Sequence, residues 1–114
     1  MLNQQSNEII VEKVQGAYSF GKRLKGLMFT KSIPEDHGLH IDPCPSIHTF
    51  FMNFPIDVLY LNRQNKIVGI DEDLKPGKVG RRIPKARSVI ELPAGRVQAS
   101  SIAVGQTLVF VNEK

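Results

Sequence analysis

Ile47-His48-Thr49-Phe50-Phe51-Met52-Asn53-Phe54-Pro55-Ile56-Asp57-Val58-Leu59-Tyr60-Leu61 carries more of the fold than any other stretch of this chain. It is an apolar segment into which three polar groups, His48, Asn53 and Asp57, are set. Burying a polar group without a partner costs roughly 1–3 kcal/mol, and an unpaired charge far more. Each of the three therefore needs a partner or a task. Pro55 brings no N–H to a ladder and interrupts pairing, so the segment divides into a strand over 47–52 and another over 56–62. In the second, period-two alternation puts Asp57 on the face of Leu59 and Leu61. Asn62-Arg63-Gln64-Asn65 then reads as a polar turn, with 66–71 as the returning arm of a hairpin.

Working outward, the chain breaks at 74–77 and runs through a basic loop at 78–87. A strand over 88–92 ends at Pro93-Ala94-Gly95. One or two helical turns follow at 96–102, then a last strand at 107–111. Upstream, alternation suggests a strand over 8–14 that stops at Gly16. Ser19 is a suitable N-cap, and Phe20, Leu24 and Leu27 recur at helical spacing, which predicts a short helix over 19–26. Gly26 weakens that helix by about 1 kcal/mol relative to Ala. A turn at 33–38, a strand at 39–41 and an extended Pro43-Cys44-Pro45 complete the chain. The polar residues 1–7 are expected to be loose, leaving 8–114 as a single domain. The class is α+β, mostly β: a small twisted antiparallel sheet or barrel-like fold with one or two short helices.

Bulk properties agree. The chain has 114 residues, 41% hydrophobic and 23% charged, which suits a domain that buries a core without staples. One cysteine, Cys44, excludes an intrachain disulfide and a Cys-rich zinc site. No basic leader followed by an apolar run opens the sequence, and no apolar run approaches the roughly 20 residues that span a bilayer. A soluble, cytoplasmic protein is expected. The net charge of +4 favours mild attraction to anions and is too small by itself to imply nucleic acid.

Four blocks resemble one family. Arg23-Leu24-Lys25-Gly26-Leu27-Met28 is similar to the R-x-x-G-L-M opening of domain-of-unknown-function family 192. Ile47 to Met52 with Pro55-Ile56-Asp57 resembles its central motif, and Ile90 to Gly95 its third block. Ile102-Ala103-Val104-Gly105 resembles its closing turn, although Gln106 stands where the family usually has Asp. Phe51 likewise replaces a Trp common in the family. The resemblance implies a compact bacterial or archaeal β-rich fold and no particular activity.

Asp57 is read in two ways: as a carboxylate accepting backbone N–H groups in the Asn53-Phe54-Pro55 turn, or as a ligand-binding or catalytic group. Glu91 shares a face with Val89 and poses the same choice. Arg23 is a natural bidentate partner for Glu91 or Asp57. His48 alternates with Phe50 and Met52, as a satisfied histidine or a functional one. On a strand it would stand roughly 13 Å from Cys44, too far for a thiolate–imidazole pair. His37, His40 and His48 show no metal-binding spacing. Arg23, Met28, His48, Met52, Asp57 and Glu91 are thus the candidate pocket. Lys78, Arg81, Arg82, Lys85 and Arg87 are a candidate anion-binding patch, which Asp71-Glu72-Asp73 could fold back to neutralise.

No phosphate-cradling glycine loop, catalytic serine motif or dinucleotide fingerprint is present, so no cofactor is expected. The leading expectation is a non-enzymatic binding or accessory module, with a small molecule or a protein as partner. The alternatives are a small enzyme, such as a hydrolase, using Asp57 or Glu91 as acid or base, and an anion- or RNA-binding surface at Arg81–Arg87. Within the basic loop no aromatics interleave the charges, which weighs against nucleic acid.

Overall fold

A computed structural model of the chain describes residues 1–19, 32–44, 49 and 52–110. Its centre is β4 (Ile56–Leu61), in which all six residues are buried. It lies inside a five-stranded sheet ordered β2-β3-β6-β4-β5, and a hydrophobic cluster packs on each of its faces. The other strands are β2 (Lys13–Ala17), β3 (His37–Ile41), β5 (Ile67–Leu74) and β6 (Ser88–Pro93). The hairpin read around residues 62–65 is present: β4 and β5 run antiparallel, with Asn62 Oδ1 accepting the N–H groups of Gln64 and Lys66 in the turn. β6 is antiparallel to both β3 and β4. β2 and β3 pair in parallel, so the sheet is mostly rather than wholly antiparallel. The mostly β, α+β class is the one expected.

Alternation on β4 and β6 sends side chains into two cores. Leu59, Leu61, Ile90 and Leu92 join Ile67 and Val97 on one face. Val58, Tyr60 and Val89 join Leu39, Ile41 and Met52 on the other. On the second face Gly69 is overlain by Ile83, whose side chain would lie 2.9 Å from a Cβ at that position. The close approach seats the loop after β5 against the sheet, and a side chain at residue 69 would lift it.

Several expectations are corrected. The strand expected over 8–14 is β2, which begins at Lys13 and passes through Gly16. Ile10 and Val11 are claimed by the chain start: Met1 O accepts the Ile10 N–H, and the Met1 ammonium donates to Val11 O. β1 (Leu2–Asn3) pairs with β7 (Leu108–Val109), and Met1 and Asn3 are buried. Asn3 Nδ2 donates to Gln106 Oε1 at 2.7 Å, and the same oxygen accepts the Ala103 N–H at 2.9 Å. Gln106 thus closes the final turn with its side chain. The last strand is shorter than 107–111, with Thr107 forming only an isolated bridge to Lys66. The helix expected over 19–26 and most of the strand over 47–52 lie outside the described residues; Thr49 and Met52, which are described, are not in strands.

The described helix is a single turn, α1 (Arg96–Ala99). It starts at Gly95, whose φ of 92° lies in the left-handed region that glycine tolerates, and no neighbouring side chain caps it. Among the described residues no helix is long and apolar enough to cross a membrane.

Candidate functional site

Asp57 supplies the missing cap. Its Oδ2 accepts the N–H groups of Gly95 (3.1 Å) and Val97 (2.9 Å), and its Oδ1 accepts that of Asp73 at the end of β5 (2.8 Å). Asp57 is completely buried. A carboxylate at a helix start satisfies N–H groups that have no partner inside the helix. Here it does so from the neighbouring β4, not from the residue before the helix. The expected chemistry, a carboxylate accepting backbone N–H groups, is present. The expected donors in the Asn53-Phe54-Pro55 turn are not the ones used. With both oxygens engaged, Asp57 is poorly placed for acid–base work.

Glu91 lies on the opposite face. It stands directly across from Leu39 on β3 and Val58 on β4. It is 3% exposed, and its Oε1 meets no donor among the described residues. Burial among aliphatic side chains pushes its carboxyl up to about 7, because removing water penalises the charged form. Asp57 and Glu91 therefore do not share a pocket; the sheet stands between them.

The Glu91 face carries further polar groups. Val58 pairs with Asp71 on β5, so Asp71 and Glu91 flank Val58 at roughly 10 Å from each other. The fully buried Tyr60 donates its hydroxyl to Asp71 Oδ2 at 2.7 Å. Burial, then that hydrogen bond, raises the Tyr60 phenol well above its ordinary range. Arg81 Nε donates to Asp71 Oδ1 at 2.7 Å, and its Nη2 to Ile70 O. Beyond this network, Thr49 is completely buried and its Oγ1 donates to Lys75 O (2.6 Å) while accepting the Lys78 N–H (2.7 Å). Its own backbone pairs with Lys78 and Gly77. Thr49→Val is expected to lower stability by about 1–2 kcal/mol, since the Lys78 N–H loses its acceptor; chemical denaturation measures it.

Met52 is buried in the core of this face. Arg23, Met28 and His48, and with them the proposed Arg23 ion pair and the Cys44–His48 geometry, lie outside the described residues. His40 packs in the other core region, bonded to the Tyr18 hydroxyl at 2.9 Å and stacked on Phe110. Among the described residues no group of three or more His, Cys, Asp or Glu is placed to hold a metal ion. The basic loop is partly neutralised as anticipated, with Arg81 on Asp71 and Lys75 on Asp73; Arg87 instead pairs with Asp42. Lys78, Arg82 and Lys85 make no ion pair among the described residues.

The sequence profile of the uncharacterised conserved family DUF192 matches residues 1–110. The chain belongs to the DUF192 family. A UPF0127 protein of Pyrococcus furiosus is 35% identical to it over 115 residues, covering 95% of each chain. A crystal structure of a Novosphingobium aromaticivorans protein of unknown function superposes with a TM-score of 0.76 at 16% identity, covering 85% of this chain and 74% of that one. A candidate transcription regulator of Sinorhizobium meliloti superposes with a TM-score of 0.72 at 25% identity, over 82% and 78% of the two chains. Two of the DUF192 blocks meet in the structure, since Asp57 of Pro55-Ile56-Asp57 binds the turn that ends Glu91 to Gly95. The DUF192 motifs drew attention to Asp57 and Glu91 but not to Tyr60, which hides among the apolar residues of β4. The Asp71–Arg81 contact was signalled only by acidic residues preceding the basic loop.

Proposed function

We propose that this DUF192 protein is a binding module whose ligand is received on the Glu91 face of the sheet. The observation that carries this reading is a buried carboxyl with an oxygen that meets no donor among the described residues, set in an apolar surround. Such groups are rare because they cost stability, and they concentrate where a protein has a use for them. The apolar side chains of Leu39, Val58 and Met52 suit a nonpolar body, and Glu91 suits a hydrogen-bond donor on it. The Tyr60–Asp71–Arg81 network gives the same face a polar rim. A cytoplasmic location fits the single cysteine.

A second reading, general acid–base catalysis by Glu91, is favoured by a carboxyl near neutrality. One experiment addresses both. A thermal-shift screen of metabolites is run on wild type and Glu91→Gln at neutral pH. A binder is expected to raise the wild-type melting temperature and to lose that effect in the variant. A ligand that stabilises both equally would remove Glu91 from the site. Turnover of a hit by wild type and not by Glu91→Gln would select the catalytic reading.

A further inference from the structure

A polar cavity of about 240 Å³ opens beside the β4–β5 turn, away from the Glu91 face, lined by Asp42, Asn62, Arg63, Asn65, Arg87 and Ser88. We infer that this cavity is a binding site for a compact tetrahedral oxyanion, phosphate or the phosphate group of a phosphomonoester, held by Arg63 and Arg87 and selected by Asp42. The volume equals about eight waters' share of the liquid, enough for a phosphate and the first atoms attached to it.

The lining is unbalanced in favour of donors. Asn62 has spent its Oδ1 on the N–H groups of Gln64 and Lys66, at 2.9 and 3.0 Å, so its amide NH2 is what it has left to offer. Arg63 makes no ion pair among the described residues and is exposed at the tip of the turn. Arg87 donates from Nε to Asp42 Oδ1 at 3.1 Å, which aims the guanidinium and leaves its terminal nitrogens for a ligand. Asn65 and the hydroxyl of Ser88 add further donors. The lining holds two guanidinium groups and one carboxylate, and the planar fork of a guanidinium matches the oxygens of a phosphate.

The frame is fixed by backbone hydrogen bonds. Arg87 N donates to Leu61 O at 2.7 Å, and Arg87 O accepts the Cys44 N–H at 2.6 Å. Asn65 O accepts the Leu108 N–H at 2.9 Å. The ligating side chains thus rise from a pinned backbone, so the ordering left for binding is that of the side chains, chiefly Arg63. Asp42 confers the selectivity. Inorganic phosphate near neutral pH retains a proton that can be donated to a carboxylate oxygen, whereas sulfate has none and meets only repulsion there; a phosphomonoester, with its second pKa near about 6, offers such a proton only from its monoprotonated fraction.

The test is an NMR-detected titration at fixed ionic strength with inorganic phosphate, ribose 5-phosphate and sulfate as separate probes. Saturable shifts of the amides at 62–65 and 87–88 are expected for inorganic phosphate, and weaker ones for ribose 5-phosphate, whose protonated fraction is small at neutral pH. Response to inorganic phosphate alone assigns the site to the free anion, and response to both assigns it to phosphomonoesters as well. Sulfate is expected to bind about tenfold more weakly, and Arg63→Gln to weaken phosphate binding by at least about tenfold. Arg63 makes no hydrogen bond among the described residues, so this variant keeps the wild-type melting temperature. Asp42→Asn is expected to erase the preference over sulfate, while Arg82→Gln with Lys85→Gln leaves binding unchanged. Binding that survives Arg63→Gln, or shifts confined to 78–85, would overturn the assignment. So would a response that chloride reproduces.

Discussion

Between pH 4.5 and about 8, Glu91 is expected to remove about 3 kcal/mol from the stability of the folded protein, and Glu91→Gln to abolish that loss. The sign follows from proton counting. The folded state holds the Glu91 proton up to about pH 7, whereas the unfolded chain releases it near 4.5. Across that window the folded state binds more protons, so raising the pH favours unfolding, and the effect levels off above it. In a domain of this size the change corresponds to a melting-temperature difference on the order of 10 °C. The quantity to measure is the difference between variant and wild type as a function of pH. It isolates Glu91 from His40, whose pKa is lowered by burial and which tilts the curve the opposite way. Parallel wild-type and Glu91→Gln curves would show that Glu91 is already charged in the fold.

Asp57→Ala is expected to cost about 3–5 kcal/mol, because it strands three N–H groups at once, that of Val97 buried and those of Asp73 and Gly95 partly so. Asp57→Asn should cost less, roughly 1–3 kcal/mol. Its carbonyl can still accept from Gly95 and Val97, but its NH2 then faces the Asp73 N–H, donor against donor. The order Ala worse than Asn distinguishes a capping carboxylate from one whose contribution is its charge alone, for which the two variants would fall together. Denaturant unfolding of the three proteins decides it, and an Asp57→Ala loss below about 1 kcal/mol would refute the capping role.

How much of this was legible depends on the distance between partners along the chain. The β4–β5 hairpin was readable because its turn chemistry and both arms lie within one short window. That Asp57 must accept hydrogen bonds was readable too, from a carboxylate on an apolar face. Its donors were not, because they come 16, 38 and 40 residues later and are brought near only by the β5–β4–β6 pairing. Alternation placed Glu91 beside Val89. No local pattern showed that its flanking residues would be Leu39 and Val58, which offer no hydrogen bond. At the N-terminus composition misled: Asn3 is polar, yet it is buried because β7 and Gln106 supply both a strand partner and a side-chain acceptor. The basic loop reads as a patch only when its charges are counted without the Asp71, Asp73 and Asp42 carboxylates that pair with part of it.

The Asp57 carboxylate also sets the order in which parts of the molecule can come undone. Helix α1 is one turn long, begins at a left-handed glycine and has no cap of its own, so by itself it has almost no tendency to persist. Its acceptor belongs to the central strand of the sheet, and the same carboxylate holds the end of β5. The amides of Asp73, Gly95 and Val97 are therefore tied to one opening event. Local fraying of the helix is coupled to release of the sheet edge, and these segments behave as a single cooperative unit in hydrogen exchange.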